Sequence, residues 1–363
     1  MRTVIHPADE IVRRVLRDPG QMDSLSAPQW DQLLRRARRA GVLYRIAVLA
    51  DGALHGDGVP DRVRHQLQSA RMVAARHDRS VRWEVARIRR ALRPTGERFV
   101  LLKGAAYVIA GLPAASGRIS TDVDVLVAED KLAVVEAALL GAGWTAMKLH
   151  PYDQRYYRRW MHELPPLRHA TRGTVVDVHH TILPRTSRFR PKGSKLLENA
   201  VRIDDDVSVL AAEDMVLHAA THLFADGDLA GGLRELTDID AMLRHFPTTV
   251  DRFWHRLVPR SLELDLQRPL FYALRFCRRS LDTPVPDEVV AASADGRPSW
   301  PALTVMDRLV DRALLPEADG NSFRTEASLW MLYVRSHWLR MPPWLLSRHL
   351  TRKAIRRLFG RSG

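Results

Sequence analysis

Two short aspartate-bearing stretches carry the clearest chemistry in this chain. Thr121-Asp122-Val123-Asp124-Val125-Leu126-Val127 alternates at the two-residue period of a strand, so Asp122 and Asp124 project to one face while Val123 and Val125 turn toward a core. Adjacent carboxylates repel each other, and a divalent cation removes that penalty; the plainer reading of a lone Asp-x-Asp is a solvated edge strand. Downstream, Thr174-Val175-Val176-Asp177-Val178-His179 repeats the alternation, with Val175, Asp177 and His179 on one face. A third carboxylate on a neighbouring strand is what two hard cations about 3.5 to 4 Å apart require. Upstream, the apolar run Phe99-Val100-Leu101-Leu102 ends at Lys103-Gly104-Ala105, where a helix begins. Backbone N–H groups at a helix start can hold phosphate oxygens, and glycine permits close approach. Without metal, the three carboxylates are expected to repel, to raise at least one aspartate pKa and to weaken the fold. Asp124→Asn should then leave the metal-free protein at least as stable as the parent.

Other residue types admit two readings each. His179 and His180 adjoin the third carboxylate, either orienting it, meeting a phosphate, or serving as structural hydrogen-bonding residues. His218 and His222 stand at i, i+4 on one helix face, a spacing compatible with metal, but no further ligand follows at the expected distance, which favours packing or substrate contact. Trp330, Tyr333, Trp338 and Trp344 interleave with Arg335, Arg340 and Arg348, as nucleotide-stacking surfaces do; a core-facing helix side is the commoner cause. The tail from Leu345 to Phe359 is basic and amphipathic, fit to lie on an anionic membrane or RNA, or to cap a helical bundle.

Three regions position these residues. Helices are predicted over 1–95: Ser26-Ala27-Pro28-Gln29 reads as a capping-box start, with Trp30, Leu33, Leu34 and Ala37 as its apolar stripe and Gly41 as its stop. A longer helix follows from Asp61 to Leu92, with Val63, Leu67, Val73, Val81, Val85, Ile88 and Leu92 at helical spacing. Residues 96–200 read as an α/β core: the strands above, a helix over Lys131 to Leu140, and a hairpin of Leu167 to Ala170 and Thr174 to His179 about Thr171-Arg172-Gly173. Helices return over 201–363, with Pro247, Pro284 and Pro298 as breaks. The fold class is therefore α+β, a small mixed sheet flanked by N-terminal and C-terminal helical regions.

Composition narrows the class further. At 363 residues, 46% hydrophobic and 27% charged, the chain is globular, and no apolar run approaches a membrane span. The N-terminus lacks the apolar segment of a secretion signal, and the single Cys277 points to a reducing cytoplasm. The net charge of +14 invites a nucleic-acid partner. Only six of the 56 basic residues are lysines, and the remaining 50 arginines are spread over nearly every predicted helix, so a dedicated polynucleotide site is not favoured.

In this order, a strand, a glycine turn, a helix, an Asp-x-Asp strand and a later strand with one Asp resemble the polymerase-β-type nucleotidyltransferase superfamily. Several segments are similar, more narrowly, to a bacterial group of nucleotidyltransferase family proteins. They are Trp30 to Tyr44, Leu101-Leu102-Lys103-Gly104, Arg118 with Asp122 to Val127, His162-Glu163-Leu164-Pro165-Pro166-Leu167, Val176-Asp177-Val178-His179, and Glu213-Asp214 with His218, His222 and Arg234 to Asp240. The resemblance covers roughly residues 20 to 245. It implies that Asp122 and Asp124 ligate two Mg²⁺ (or Mn²⁺) ions and that Asp177 holds the catalytic one. It also implies that Gly104 and Ala105 face the triphosphate of an NTP; where the superfamily usually has Gly-Ser, whose hydroxyl meets the γ-phosphate, this chain has Gly104-Ala105, and Lys103 or Arg118 would replace that contact with charge. The implied reaction moves an NMP to an acceptor hydroxyl on a small molecule, glycan or peptide intermediate. An RNA or tRNA acceptor, and a non-catalytic nucleotide-binding protein that retains the fold, are the alternatives.

Overall fold

A computed structural model describes residues 7–54, 59–147, 160–227, 229–315, 317 and 320–342. Trp344, Arg348 and the basic tail from Leu345 to Phe359 lie outside the described residues. Four helices come first: α1 (Pro7–Arg17), α2 (Ala27–Arg39), α3 (Leu43–Ala53) and α4 (Asp61–Leu92). The capping box forms as its residue types require, the Gln29 side-chain oxygen accepting from the Ser26 N–H at 2.9 Å, and Gly41 ends the turn at φ +72°. Trp30, Leu33, Leu34 and Ala37 are buried. In α4, Val63, Leu67, Val81, Val85, Ile88 and Leu92 are buried as the periodicity predicts, but Val73 is exposed. Ala70 and Ala74 take its place, because over so long a helix the inward stripe passes through residues too small to stand out in an apolar pattern.

The sheet begins with β1 (Phe99–Leu101), followed by α5 (Lys103–Ile109), β2 (Asp122–Leu126), α6 (Leu132–Gly141), β3 (Trp144–Ala146), β4 (Leu167–His169) and β5 (Val175–His179). After α7 (Gly193–Glu198), two more strands, β6 (Val201–Arg202) and β7 (Val207–Val209), complete a mixed sheet in the order β3-β4-β5-β2-β1-β7-β6. The sheet therefore continues past residue 200, where helices alone are expected. Val207-Ser208-Val209 is too short to show periodicity in sequence, and it becomes a strand by pairing in parallel with β1.

Helices α8 (Ala212–Thr221), α9 (Gly232–Thr249), α10 (Phe253–Glu263), α11 (Gln267–Leu281), α12 (Asp287–Ala292), α13 (Trp300–Ala313) and α14 (Phe323–Arg340) follow. Pro284 and Pro298 fall between helices, but Pro247 sits inside the last turn of α9 and does not break it. Two helical residues follow Pro247, so the N–H it lacks and the crowding of its ring against the preceding turn interrupt little of the helix. On α14 the aromatics face outward: Trp330 is 65% exposed and Trp338 45%. The buried stripe is instead Thr325, Ser328, Leu332 and Ser336, and the serine hydroxyls return to carbonyls of their own helix. No helix among the described residues is long and apolar enough to cross a membrane.

Candidate active site

Strands β2 and β5 run in parallel with Asp124 directly beside Asp177 and Asp122 beside Val175. Because side chains alternate along both strands, this register puts Asp122, Asp124 and Asp177 on one face. One carboxylate oxygen from each lies within 4.8 Å of the other two. Strand β1 runs antiparallel on the other side of β2, and the Leu102 N–H donates to the Asp124 carbonyl at 3.0 Å, which brings the start of α5 to the same place. There Lys103 adopts φ +46°, a left-handed conformation that a non-glycine residue holds only under constraint from its surroundings. Its Nζ reaches Asp124 Oδ1 at 3.2 Å.

The three carboxylates are not equivalent. Burial works against the charge of Asp124, but Lys103 and His179, whose Nε2 lies 2.9 Å from Oδ1, hold its carboxyl well below the usual range. Asp177 has no hydrogen-bonded cation among the described residues, and the nearby charge of His179 opposes its shift only in part. Burial pushes Asp177 up to about 7, the neighbouring carboxylates of Glu163 and Asp124 add to the shift, and its Oδ1 is buried with no hydrogen-bond partner among the described residues. Lys103 is raised: burial opposes its charge, and Asp124 and Asp122 overcome that.

These shifts correct the expectation for Asp124→Asn. In an unfolded chain an aspartate titrates near ~3.9. Between that value and about 7 the folded protein keeps the Asp177 proton that the unfolded chain has released, so this group lowers stability as pH rises through the window. Asp124 has the opposite sign. Its depressed pKa contributes stability above the unfolded value, lost as pH falls through the folded one. In thermal melts of the chelator-treated protein, Asp177→Asn should therefore gain on the parent as pH rises from about 4 to about 7. Asp124→Asn should lose relative to the parent at neutral pH, since it strands the half-buried Lys103 and the buried His179. Equal responses from the two variants would contradict this assignment.

The glycine turn has a second constraint. A Cβ on Gly104 would stand 2.2 Å from Nη1 of Arg118 and 3.0 Å from Ser120 Oγ. Arg118 cannot easily yield, because it is buried and its Nε donates to Asp238 Oδ2 at 2.7 Å. It thus packs behind the turn rather than lying open before it. Gly104→Val should overpack this contact and destabilise the protein by about 1–3 kcal/mol, read as a fall in urea midpoint. An unchanged midpoint would mean that Arg118 moves aside freely.

The histidines separate. His179 joins the cluster through Asp124. His180 turns away, its Nε2 3.2 Å from the Met161 carbonyl. His218 is buried, and burial holds its pKa well below the ordinary value, while His222 Nδ1 pairs with Glu235 Oε2 at 3.0 Å at the start of a π-helical turn (His222–Asp226). Among the described residues no metal-type cluster includes His218, His180 or His222.

Two residues of the site have no individual signal in the sequence. Glu163 and His162 lie on a stretch that pairs with the end of β5: Glu163 stands opposite His179, and the Leu164 N–H donates to the Val178 carbonyl at 2.8 Å. Leu167, by contrast, stands opposite Val176, so four residues on one side match three on the other. The extra residue is absorbed as a bulge at Pro165-Pro166, which lack the N–H groups to continue the ladder. The double proline between a charged pair and a strand is the available signal for this shift.

The fold and site define a mixed-sheet protein whose central strands present three clustered carboxylates beside a lysine-glycine helix start, a donor set suited to a metal ion. The chain belongs to the family described as uncharacterised nucleotidyltransferase, whose family model matches residues 26–282. No curated protein and no solved structure matches it.

Proposed function

We propose that this chain is a divalent-metal-dependent nucleotidyltransferase of the polymerase-β type that moves an NMP from an NTP to an acceptor hydroxyl. The oxygen–phosphorus bond to the acceptor forms as the bond between the α- and β-phosphates breaks, and pyrophosphate leaves. The observation that carries the reading is the gathering of Asp122, Asp124 and Asp177 within 4.8 Å, in a chain of a nucleotidyltransferase family.

The donor set fits hard cations, since carboxylate oxygens suit Mg²⁺ or Mn²⁺ and one of them, Asp177 Oδ1, is buried without a hydrogen-bond partner among the described residues. Asp122 and Asp124 would hold both ions, and Asp177 would hold the one that activates the acceptor hydroxyl. When bound, they would supply neutralising charge for the triphosphate and a lowered pKa for the acceptor hydroxyl. The residues of the chain do the positioning. Lys103, Gly104 and Ala105 face the triphosphate, Lys103 adding charge where its Nζ already lies against Asp124. Arg118 acts from behind, fixing the turn through Asp238. His179 orients Asp124. The acceptor belongs to a small molecule, glycan or peptide intermediate, and the lone cysteine fits a reducing, cytoplasmic setting in a bacterium.

The test is to incubate the protein with a cell extract, Mg²⁺ and α-labelled NTPs and to search by mass spectrometry for a product that gains a nucleotide. Transfer with the parent, lowered by on the order of 10³-fold in Asp122→Asn, is the expected result. Nucleotide binding without turnover, across all four NTPs with Mg²⁺ and Mn²⁺, would overturn the catalytic reading in favour of a binding protein.

A further inference from the structure

Beside the carboxylate trio lies a second group of metal-ligand type: His162, Glu163 and His179 each offer one ligand atom within 4.8 Å of the other two. Glu163 Oε2 is 3.5 Å from His179 Nε2 and 3.8 Å from His162 Nε2. Both separations exceed the 2.7 to 3.2 Å or so of an N–H···O hydrogen bond. They are close to the edge of a tetrahedron around an ion with ligands at about 2.0–2.2 Å, which is roughly 3.4 Å. The two imidazoles lie side by side, ring centroids 5.2 Å apart and planes inclined by 36°. His162 and His179 are almost fully buried and the Glu163 carboxylate nearly so. Backbone pairing enforces the grouping, because Glu163 is locked opposite His179 and the His180 N–H donates to the His162 carbonyl at 2.9 Å.

We propose that His162, Glu163 and His179 form a site for one divalent transition-metal ion of the Zn²⁺ class, distinct from the Mg²⁺-type site of the three aspartates. Imidazole nitrogen selects Zn²⁺ and its neighbours over Mg²⁺, and two histidines with one glutamate leave a fourth position open for water or a substrate oxygen. The two sites meet at His179. To ligate the ion through Nε2, His179 gives up its 2.9 Å contact with Asp124, which retains Lys103. This assignment stands apart from nucleotidyl transfer and is read without nucleotide.

The experiment is calorimetric titration of the full chain with Zn²⁺ in excess Mg²⁺, together with visible absorption after loading with Co²⁺. The parent should bind one Zn²⁺ that Mg²⁺ does not displace, and Co²⁺ should show the intense d–d bands of a tetrahedral site with nitrogen ligands. The double variant Asp122→Asn, Asp177→Asn should keep both properties. Glu163→Gln and His162→Gln should weaken Zn²⁺ binding by at least about tenfold, while circular dichroism shows the fold retained. If Glu163→Gln misfolds, His162→Gln and the Co²⁺ spectrum decide. The proposal is overturned by any of three results: no Mg²⁺-resistant Zn²⁺ binding, unchanged binding in both single variants, or loss of Zn²⁺ in the aspartate double variant, which would place the ion on the carboxylates instead.

Discussion

Asp122→Asn should lower nucleotidyl transfer by on the order of 10³-fold while the protein stays folded. Ligation that stabilises the transferring phosphoryl group is worth several kcal/mol, and each ~1.4 kcal/mol is a decade in rate. Asn preserves the shape of the side chain and removes its charge. Asp122 is the member of the trio best suited to this test. Asp124 is tied to Lys103 and His179, so its loss disturbs buried partners, and Asp177 has a perturbed titration of its own. Asp122 is only partly buried, at the first residue of β2. Initial rates of label transfer, compared alongside thermal melts, check the claim. Parent-like rates in a folded Asp122→Asn protein would remove the carboxylate trio from the mechanism.

The largest loss of stability is expected from Asp238→Ala, about 3–5 kcal/mol. Asp238 on α9 accepts from Arg45 Nη2 of α3 and from Arg118 Nε, each at 2.7 Å, and all three side chains are buried. Removing the carboxylate leaves two guanidinium groups facing each other in a medium where charge is poorly solvated. Among the described residues Arg45 then keeps its bond to the Ala114 carbonyl at 2.8 Å alone, and the ion group that ties the loop before β2 to the helices on both sides is lost. Gly117 makes this junction possible: it adopts φ +68°, and a Cβ there would stand 2.4 Å from the Arg45 backbone nitrogen. Against a total stability of ~5–15 kcal/mol the expected loss is a large fraction. Asp287→Ala, which breaks the exposed pair with Arg278 and removes an acidic residue from the first turn of α12, should cost no more than about 1 kcal/mol. Urea denaturation of both variants makes the comparison, and similar small losses would show that Asp238 is dispensable to the fold.

Much of the frame is legible in the sequence. The bounds of α4, the capping box of α2, the hairpin of β4 and β5 and the common face of Asp122 and Asp124 all follow from periodicity and turn chemistry, which act over a few residues. Beyond that hairpin, however, nothing local says which strands are neighbours. The parallel pairing that sets Asp177 beside Asp124, and the pairing that makes Val207–Val209 a strand, are long-range, and their side chains look the same in sequence whether or not they meet. The same limit explains why three aspartates that read alike become one compensated by Lys103 and His179 and one whose Oδ1 is buried with no hydrogen-bond partner among the described residues. A carboxylate's charge state depends on the partners and solvent around it, and those are assembled only when distant segments pack. Residue types and short spacings thus determined the elements and the candidate chemistry of this protein. Tertiary structure decided which groups share a face, that Glu163 stands opposite His179, and that Arg118 lies behind the glycine turn, because contact and desolvation belong to the folded chain and not to any window along it.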